Sequence, residues 1–522
     1  MRTVHQAISA VETYSPAEEL FNRRRRTAGL FLAPIVLLGT LAIPIAGLTA
    51  QGHRMAAIML MVVVLWVSEA LPMAVTAMLG PMLAVIFGVV PARQALAPFA
   101  DPIIFLFIGS FMLAEAMFVH GVDRRIAFSA LSWRFVGTSG ARILVMYGAV
   151  ATFISMWISN TATTAMMFPI GLSIVGHLAS HRAEHGAPDL PRGTGSGGDH
   201  AIRKFAMAMM LITSFGASIG GMATPVGTPP NLIGIGMIER ITHVHIDFFQ
   251  WMAIGVPVVL ILFSFLAVYF YFTSVRGLAV GEGSVDLVRE ELRKLGPMST
   301  GQKNVLIAFA ITVFLWTLPG FLAILGMSQS KFANWYQTAV PEGVAAVLGA
   351  ILLFLLPISW RKRRFTLTWD EAMRIDWGIV LLYGGGLAMG DMMFSTGVAS
   401  WIGASLTSVL PSNSMVALCI VFAGLAIVLS EMTSNTASAN MIVPVAIAVA
   451  TQANVSPILP ALAATLGASM GFMMPISTAP NAIVYSSGYV PITQMMRFGI
   501  ALDIAGFIVI VALVALLGPH LW

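Results

Sequence analysis

Ser155-Met156-Trp157-Ile158-Ser159-Asn160-Thr161-Ala162 and Ser430-Glu431-Met432-Thr433-Ser434-Asn435-Thr436-Ala437 are two copies of one phrase, 275 residues apart, and each leads into a short apolar run closed by a proline, Pro169 or Pro444. Both copies sit near the middle of long apolar stretches, about 142–178 and 413–450. Amides and hydroxyls are costly in hydrocarbon unless something bonds them, so the same trio placed twice at membrane depth predicts a polar ligand or an ion that meets them there. Each stretch is too long for one helix and could be two full spans or one re-entrant hairpin, and counting crossings cannot separate the two because both are even. A hairpin is the better reading. Ser-Asn-Thr at a bend caps the returning arm and aims its free N–H groups into the protein.

Working outward, the chain has 522 residues, of which 58% are apolar and 10% charged, a balance no soluble surface supports. It reads as an all-α polytopic membrane protein. Apolar runs at about 27–49, 54–70, 72–90, 101–122, 203–219, 248–274, 304–325, 342–357, 376–397, 457–470 and 492–517 give eleven candidate crossings, some short or broken, besides the two hairpins. With the N-terminus cytoplasmic, 24 of the 28 Lys and Arg fall on the inner side and only Arg54, Arg93, Arg240 and Lys331 on the outer side. That asymmetry is the positive-inside pattern, and it explains the net charge of +5 without nucleic acid as a partner. The single cysteine, Cys419, excludes disulfide frameworks and Cys-rich metal sites. The first apolar run, Ala28 to Leu48, is too long for a signal peptide and reads as a retained span, preceded by a surface helix with a capping box at Ser15-Pro16-Ala17-Glu18.

The phrase is part of a larger repeat. Asp101 to Gly109 matches Asp376 to Gly384 at the same offset of 275, and Gly216-Ala-Ser-Ile-Gly220 through Asn231 matches Gly467-Ala-Ser-Met-Gly471 through Asn481 at 250 to 251. Five crossings separate the two Asp positions, so the copies run in opposite directions: an inverted-topology repeat, the architecture of transporters whose site lies at the repeat interface. Gly220-Gly221-Met-Ala-Thr224-Pro225-Val-Gly227-Thr228-Pro229-Pro230-Asn231 and Gly471-Phe-Met-Met-Pro475-Ile-Ser477-Thr478-Ala-Pro480-Asn481 each interrupt an apolar run, and no continuous helix passes through either. Unwound backbone at that depth must line a cavity or be buried in protein, and it frees carbonyls for a cation and N–H groups for an anion.

These ordered pairs, with Trp66-Val-Ser-Glu69-Ala-Leu-Pro72 early in the chain, resemble the divalent anion:sodium symporter family, the sodium/dicarboxylate transporters, over roughly residues 50 to 517. The resemblance implies a homodimer with a fixed scaffold and an elevator-type transport domain, with Na+ as the coupling ion (two or more per cycle) and a small dicarboxylate as substrate. It places Ser155, Ser159, Asn160 and Gly220 at one sodium site and Ser430, Thr433, Asn435 and Pro475 at the other. Asn160, Thr161, Asn435 and Thr436 would contact substrate carboxylates, with Thr228, Pro475 and Thr478 of the interrupted segments beside them. Where many members carry Thr-Glu-Phe-Ala before the second tip, this chain has Ser430-Glu431-Met432-Thr433. The resulting domain expectation is a cytoplasmic segment 1–26; scaffold helices 27–100; transport elements 101–247, with the hairpin and a broken helix at about 203–237; scaffold helices and cytoplasmic loops 248–375; transport elements 376–491, with a broken helix at about 457–487; and a last scaffold helix 492–522.

No Lys or Arg lies in the membrane-depth parts of these motifs, so an anion must be held by amides, hydroxyls and helix N-termini, with bound sodium supplying positive charge and coupling the two solutes. Moving a dianion into an inside-negative cell costs roughly 4.6 kcal/mol at 100 mV, which at least two Na+ cancel. Two matched tips suit two carboxylates, so the expected substrates are succinate, malate or fumarate ahead of citrate or sulfate. A sodium-independent exchanger of the same fold is the alternative.

Other features fit less well. Gly216-Ala-Ser218-Ile-Gly220 and Gly467-Ala-Ser469-Met-Gly471 satisfy the nucleophile-elbow pattern, but no strand precedes them and no acid or base is positioned, so they read as close-packing helix residues and the chain as no enzyme. His181, His185 and His200 lie in a polar linker, about 179–202, without metal-ligand spacing, and the 33 Met read as packing. Glu69, Glu115, Asp391 and Glu431 sit in apolar runs, where a carboxylate is paired, protonated or part of an ion path. Glu431 either takes a proton or cation or bonds backbone N–H groups to hold its hairpin; Glu115 and Asp391, at near-equivalent repeat positions, read as structural pairs.

Overall fold

Caps in the sequence set where the helices begin. The repeat-matched Asp101 and Asp376 are both N-caps, accepting from the Ile103 and Ile379 N–H groups at 3.0 and 3.3 Å. The computed structural model describes residues 16–133, 135–136, 139–184, 197–276, 283–407 and 414–522. The Ser15 cap, most of the polar linker (185–196) and the side chains of His181, His185 and His200 lie outside the described residues.

The helices run α1 (Pro16–Ala42), α2 (Ala50–Ser68), α3 (Met73–Ile86), the short α4 (Ala92–Leu96), α5 (Pro102–His120), α6 (Val122–Leu131), then the first hairpin, α7 (Gly140–Ser155) and α8 (Asn160–Glu184). The first broken helix is α9 (Gly197–Gly221) followed by α10 (Pro229–Thr242). After α11 (Phe248–Phe270) come α12 (Gly283–Lys294), α13 (Thr300–Ile324), α14 (Lys331–Ala339), α15 (Glu342–Leu355), α16 (Trp369–Ala372), α17 (Trp377–Ser395) and α18 (Val398–Thr407). The second hairpin is α19 (Met415–Met432) and α20 (Asn435–Gln452), the second broken helix is α21 (Ile458–Gly467) and α22 (Ala479–Tyr485), and α23 (Ile492–Leu521) closes the chain. One two-stranded antiparallel ribbon, β1 (Pro357–Ser359) with β2 (Arg364–Phe365), is added to the otherwise helical fold.

Among the described residues nine helices are long and apolar enough to cross a membrane, and a tenth if α14 and α15, bent by 67°, make one span. One of the nine is the hairpin arm α19. The expected crossings at 72–90 and 457–470 are shorter than their apolar runs: α3 has 14 residues and α21 has 10, about 21 and 15 Å of helix at 1.5 Å per residue, under the ~30 Å of a bilayer core. α3 stops where Gly88 takes φ +65°; α21 stops at the unwound segment.

Packing follows the repeat. α7 packs on α9 and α11 in the first half as α19 packs on α21 and α23 in the second. The halves interlock crosswise, α8 and α9 against α22, α10 against α20 and α21, and α11 against α23. A second apolar core joins α1, α2 and α3 to α17 and α18. Beside it, α5, α13 and α15 pack on one another.

Glu69 holds the end of α2 in the left-handed region, φ 50°, and pairs with Arg25 at 2.9 Å and Arg26 at 3.5 Å, so its carboxylate is compensated by the basic cluster before the first span. Asp391 pairs with Arg240 rather than with its repeat mate, and the same guanidinium reaches Asp101 at 3.4 Å. In the α10–α11 turn, His245 bonds Glu239 at 2.9 Å and Glu342 at 3.5 Å. Those two carboxylates push the imidazole pKa up to about 10 from its ordinary 6.5. A raised pKa contributes stability that is complete below about pH 6.5 and lost as pH rises through about 10. In thermal melts, His245→Gln therefore lowers the melting temperature at neutral pH, and its gap from wild type closes above about pH 10.

Candidate substrate and ion site at the hairpin tips

Each tip is built the same way. Ser159 and Ser434 stand before the returning helix and accept from the Ala162 and Ala437 N–H groups, at 3.2 Å in both cases. A serine there satisfies one first-turn donor and leaves its neighbours free. Five residues link the next pair: the Ser155 Oγ donates to Asn160 Oδ1 at 2.8 Å, and the Ser430 Oγ to Asn435 Oδ1 at 2.8 Å. The amide oxygen of each tip asparagine is thus turned back toward its own outgoing arm.

That oxygen meets the broken helix behind it. A Cβ on Gly221 would collide with Asn160 Oδ1, and one on Gly471 would come within 2.8 Å of Asn435 Oδ1. Gly220 lies so close to the Thr152 backbone carbonyl that it tolerates no side chain. Close approach to backbone therefore requires glycine at 220, while at 221 and 471 an added methyl would displace the tip amide. At the second tip, Ser430 also donates to the Ala468 carbonyl at 2.8 Å and Asn435 Nδ2 to the Ser469 carbonyl at 3.3 Å. At the first, Thr224 donates to the Met156 carbonyl.

The breaks themselves are pinned by a matched pair of buried asparagines. Asn231 Nδ2 bridges the Gly221 and Thr224 carbonyls at 2.9 and 2.8 Å, and Asn481 Nδ2 bridges those of Gly471 and Met474 at 3.0 Å each. One amide so replaces two helical hydrogen bonds lost at each break. The Asn481 Oδ1 accepts from Ser214 on α9, and Phe215 packs edge-on against Phe472 at 5.1 Å, so the second break and its helix rest on α9, the helix that leads into the first break. Each tip thus meets its own break, and the two halves join where α8 and α9 pack on α22. Asn481→Leu strands two buried carbonyls and the Ser214 hydroxyl. At about 1–3 kcal/mol for each unsatisfied group, thermal unfolding should register a loss well beyond that of any surface substitution.

The predicted residues fall into three sets. Ser155, Asn160 and Gly220 come together behind the first tip, and Ser430 and Asn435 behind the second. Ser159, Asn160, Thr161, Thr436 and Thr478 are half-buried, whereas Thr228, Asn435 and Pro475 are buried. Thr433 points elsewhere: its hydroxyl donates to the Trp66 carbonyl at the end of α2, 3.3 Å away, so the Trp66–Pro72 motif receives the second hairpin. Thr478 caps α22, accepting from Asn481 N–H at 3.5 Å. Glu431 bonds backbone N–H groups, those of Phe472 and, at 2.9 Å, Met473, and takes the Ser477 hydroxyl at 2.7 Å, which ties its hairpin to the second break. Asn231 and Asn481 were visible in the repeat but carry no chemistry until the breaks are seen; their equal spacing of ten residues from Gly221 and Gly471 is the signal that marks them.

The tips also differ. Trp157 in the longer first turn stacks near Phe248 at 6.4 Å and edges Phe309 at 5.3 Å, anchoring that tip to α11 and α13, while the second turn is only Thr433 and Ser434. The donors behind both tips are hydroxyl, amide and backbone oxygens, a set that suits a hard monovalent cation, and buried hydroxyls of Thr152, Ser218 and Ser469 have no hydrogen-bond partner. The starts of α8 and α20 offer N–H groups for an anion.

Comparison with known proteins agrees. The family described as "Sodium:sulfate symporter transmembrane region" matches residues 24–522. The chain belongs to this family, the divalent anion:sodium symporters. A sodium-dependent dicarboxylate transporter of Staphylococcus saprophyticus is 33% identical over 495 residues, 94% of this chain and 91% of the relative, and its counterpart from Staphylococcus aureus is 32% identical over 496 residues with the same coverage. Two solved transporters share the fold at 12% identity: MtrF of Neisseria gonorrhoeae, TM-score 0.54 over 98% of this chain and 97% of its own, and YdaH of Alcanivorax borkumensis, TM-score 0.51 over 82% and 88%. This symporter-family chain is a multi-pass membrane transporter and not an enzyme.

Proposed function

We propose that the protein is a sodium-coupled symporter of C4-dicarboxylates such as succinate, malate or fumarate. The observation that carries this reading is the matched pair of tips: one Ser–Asn pair on each hairpin, each backed by a close-approach glycine, in halves joined where the second break rests on α9. The names of the staphylococcal relatives support both sodium and dicarboxylate. In this reading two or more Na+ sit behind the tips, held by Ser155, Ser159, Asn160 and Gly220 on one side and by Ser430, Thr433, Asn435 and Pro475 on the other. Thr433 serves with its lone pairs while its hydroxyl still donates to the Trp66 carbonyl. Thr161 and Thr436 face the substrate with the two asparagines, and Thr228, Pro475 and Thr478 border it. With sodium behind each amide, the tips order and gain positive charge, and the anion binds because the cation is there.

Transport proceeds by an elevator motion within a homodimer in the cell inner membrane, with the N-terminus cytoplasmic. We draw the moving body as α7 to α11 with α19 to α23, because these elements interlock across the repeat, and the scaffold as α1 to α3 and α17 with α5, α13 and α15. This moves α11 and α23 into the transport domain and α5 and α17 out of it.

Equilibrium binding of radiolabelled succinate to the purified protein tests the coupling. Affinity is expected to rise steeply when Na+ replaces K+, with malate and fumarate competing and sulfate competing weakly. Equal affinity in both salts would favour the sodium-independent exchanger. Full displacement by sulfate at low concentration would favour the substrate in the family's description.

A further inference from the structure

Arg240, near the end of α10, ties the transport domain to the scaffold. Its Nε donates to Asp391 Oδ2 on α17, and its Nη1 reaches Asp101 Oδ2, at the start of α5, at 3.4 Å. The other oxygen of Asp101 accepts from the Tyr383 hydroxyl of α17 at 3.3 Å. One turn earlier on α10, a Cβ on Gly236 would collide with that same hydroxyl, so the helix is seated directly on Tyr383. The three charged side chains are partly buried and Tyr383 is fully so, an environment in which charge-assisted hydrogen bonds are worth more than on an open surface. Further along, His245 of the α10–α11 turn reaches Glu342 at the start of α15, a second contact between the same two bodies.

The cluster is not repeated in the other half. The offset of 250 that matches the broken helices puts Val490 in the place of Arg240 and Ser486 in that of Gly236. The offset of 275 that matches the preceding spans puts Ile108 in the place of Tyr383 and Ala116, beside Glu115, in that of Asp391. Only Asp101 recurs, as Asp376. In an inverted repeat the two halves exchange roles between the end states of transport, so the contact that the end of α10 makes with the scaffold in one state falls to the segment after α22 in the other. That segment has no cation to offer.

We propose that Arg240, Asp101, Asp391 and Tyr383 form a clamp that holds the transport domain against the scaffold in the end state of this structure and opens before the domain moves; the inference rests on the elevator reading. A slide of one helical turn, about 5.4 Å, is enough to part an ion pair. Because the clamp exists in one repeat only, it weights the equilibrium toward one end state and leaves the other without an equivalent hold.

Double electron–electron resonance on the full-length protein in lipid nanodiscs tests this. Spin labels go on Gln329→Cys, in the exposed turn after α13, and Asn454→Cys, exposed just beyond α20, in a Cys419→Ser background, so that one label rides on each body. The distance of the present end state is expected to dominate without further substitution. Arg240→Gln should raise the ratio of the second distance to the first by about tenfold, and Asp391→Asn, which leaves Asp101 in place, by less in the same direction. Arg240→Glu combined with Asp391→Arg should bring the ratio back toward its starting value, which general destabilisation would not do. Asp391→Asn is isosteric and supplies the reading if Arg240→Gln fails to fold. Two distances whose ratio is unchanged in Arg240→Gln and Asp391→Asn would overturn the clamp and leave the elevator standing. A single distance in every variant, with and without succinate and Na+, would overturn the elevator reading and the clamp with it.

Discussion

Asn435→Ala abolishes sodium-dependent uptake, and Asn160→Ala does the same from the opposite repeat. Each replacement removes the amide oxygen that Ser155 or Ser430 orients at 2.8 Å, the proposed cation ligand, together with the amide N–H groups proposed to meet the anion. A hydrogen bond to a charged group is worth about 1.5–3 kcal/mol, so losing one ligand at the cation and one at the anion lowers uptake by roughly 100-fold or more. The second tip should also lose stability, because Asn435 Nδ2 holds the Ser469 carbonyl and the side chain is buried, whereas Asn160 is half-buried. Uptake assays paired with thermal melts separate the two effects: both variants lose transport, and Asn435→Ala alone melts clearly lower.

Adding one methyl group behind the first tip has an effect of similar size by a different route. Gly220→Ala drives Cβ into the Thr152 backbone carbonyl of the outgoing arm, which cannot swing aside. Overpacking of this kind costs about 1–3 kcal/mol and more where backbone is the obstacle, so this variant melts early or fails to fold. Gly221→Ala meets the Asn160 Oδ1 instead, the end of a side chain that can rotate. It should keep the fold, displace the amide and weaken sodium-dependent substrate binding at least tenfold. Gly39→Ala in α1, where nothing lies within 4 Å, is the control and leaves both melting temperature and binding unchanged. If Gly221→Ala bound substrate normally in Na+, the amide oxygen of Asn160 would not be a working ligand.

The sequence told the hairpins and breaks plainly because membrane depth leaves few ways to place a Ser-Asn-Thr or a Gly/Pro run, and the repeat supplied an independent copy of each. The tip asparagines Asn160 and Asn435 stood out for that reason, whereas Ser155 and Ser430 came from the family resemblance and their bonds to those asparagines appear only in the fold. The lengths of α3 and α21 were not, since an apolar run continues past the point where a glycine or an unwound segment ends the helix. Thr433 shows a second limit: its place near the tip is set by sequence, but the direction of its hydroxyl depends on Trp66, 367 residues away. The roles of Asn231 and Asn481 likewise depend on which backbone lies opposite after folding, which spacing alone does not carry.

The most direct test is radiolabelled succinate uptake into proteoliposomes under an inward Na+ gradient, with K+ in its place as control, at a clamped inside-negative potential. The account predicts uptake that requires Na+, grows with the potential if three or more Na+ accompany each dianion, and vanishes in Asn160→Ala and Asn435→Ala. Uptake that proceeds equally in K+ and requires internal dicarboxylate would contradict it.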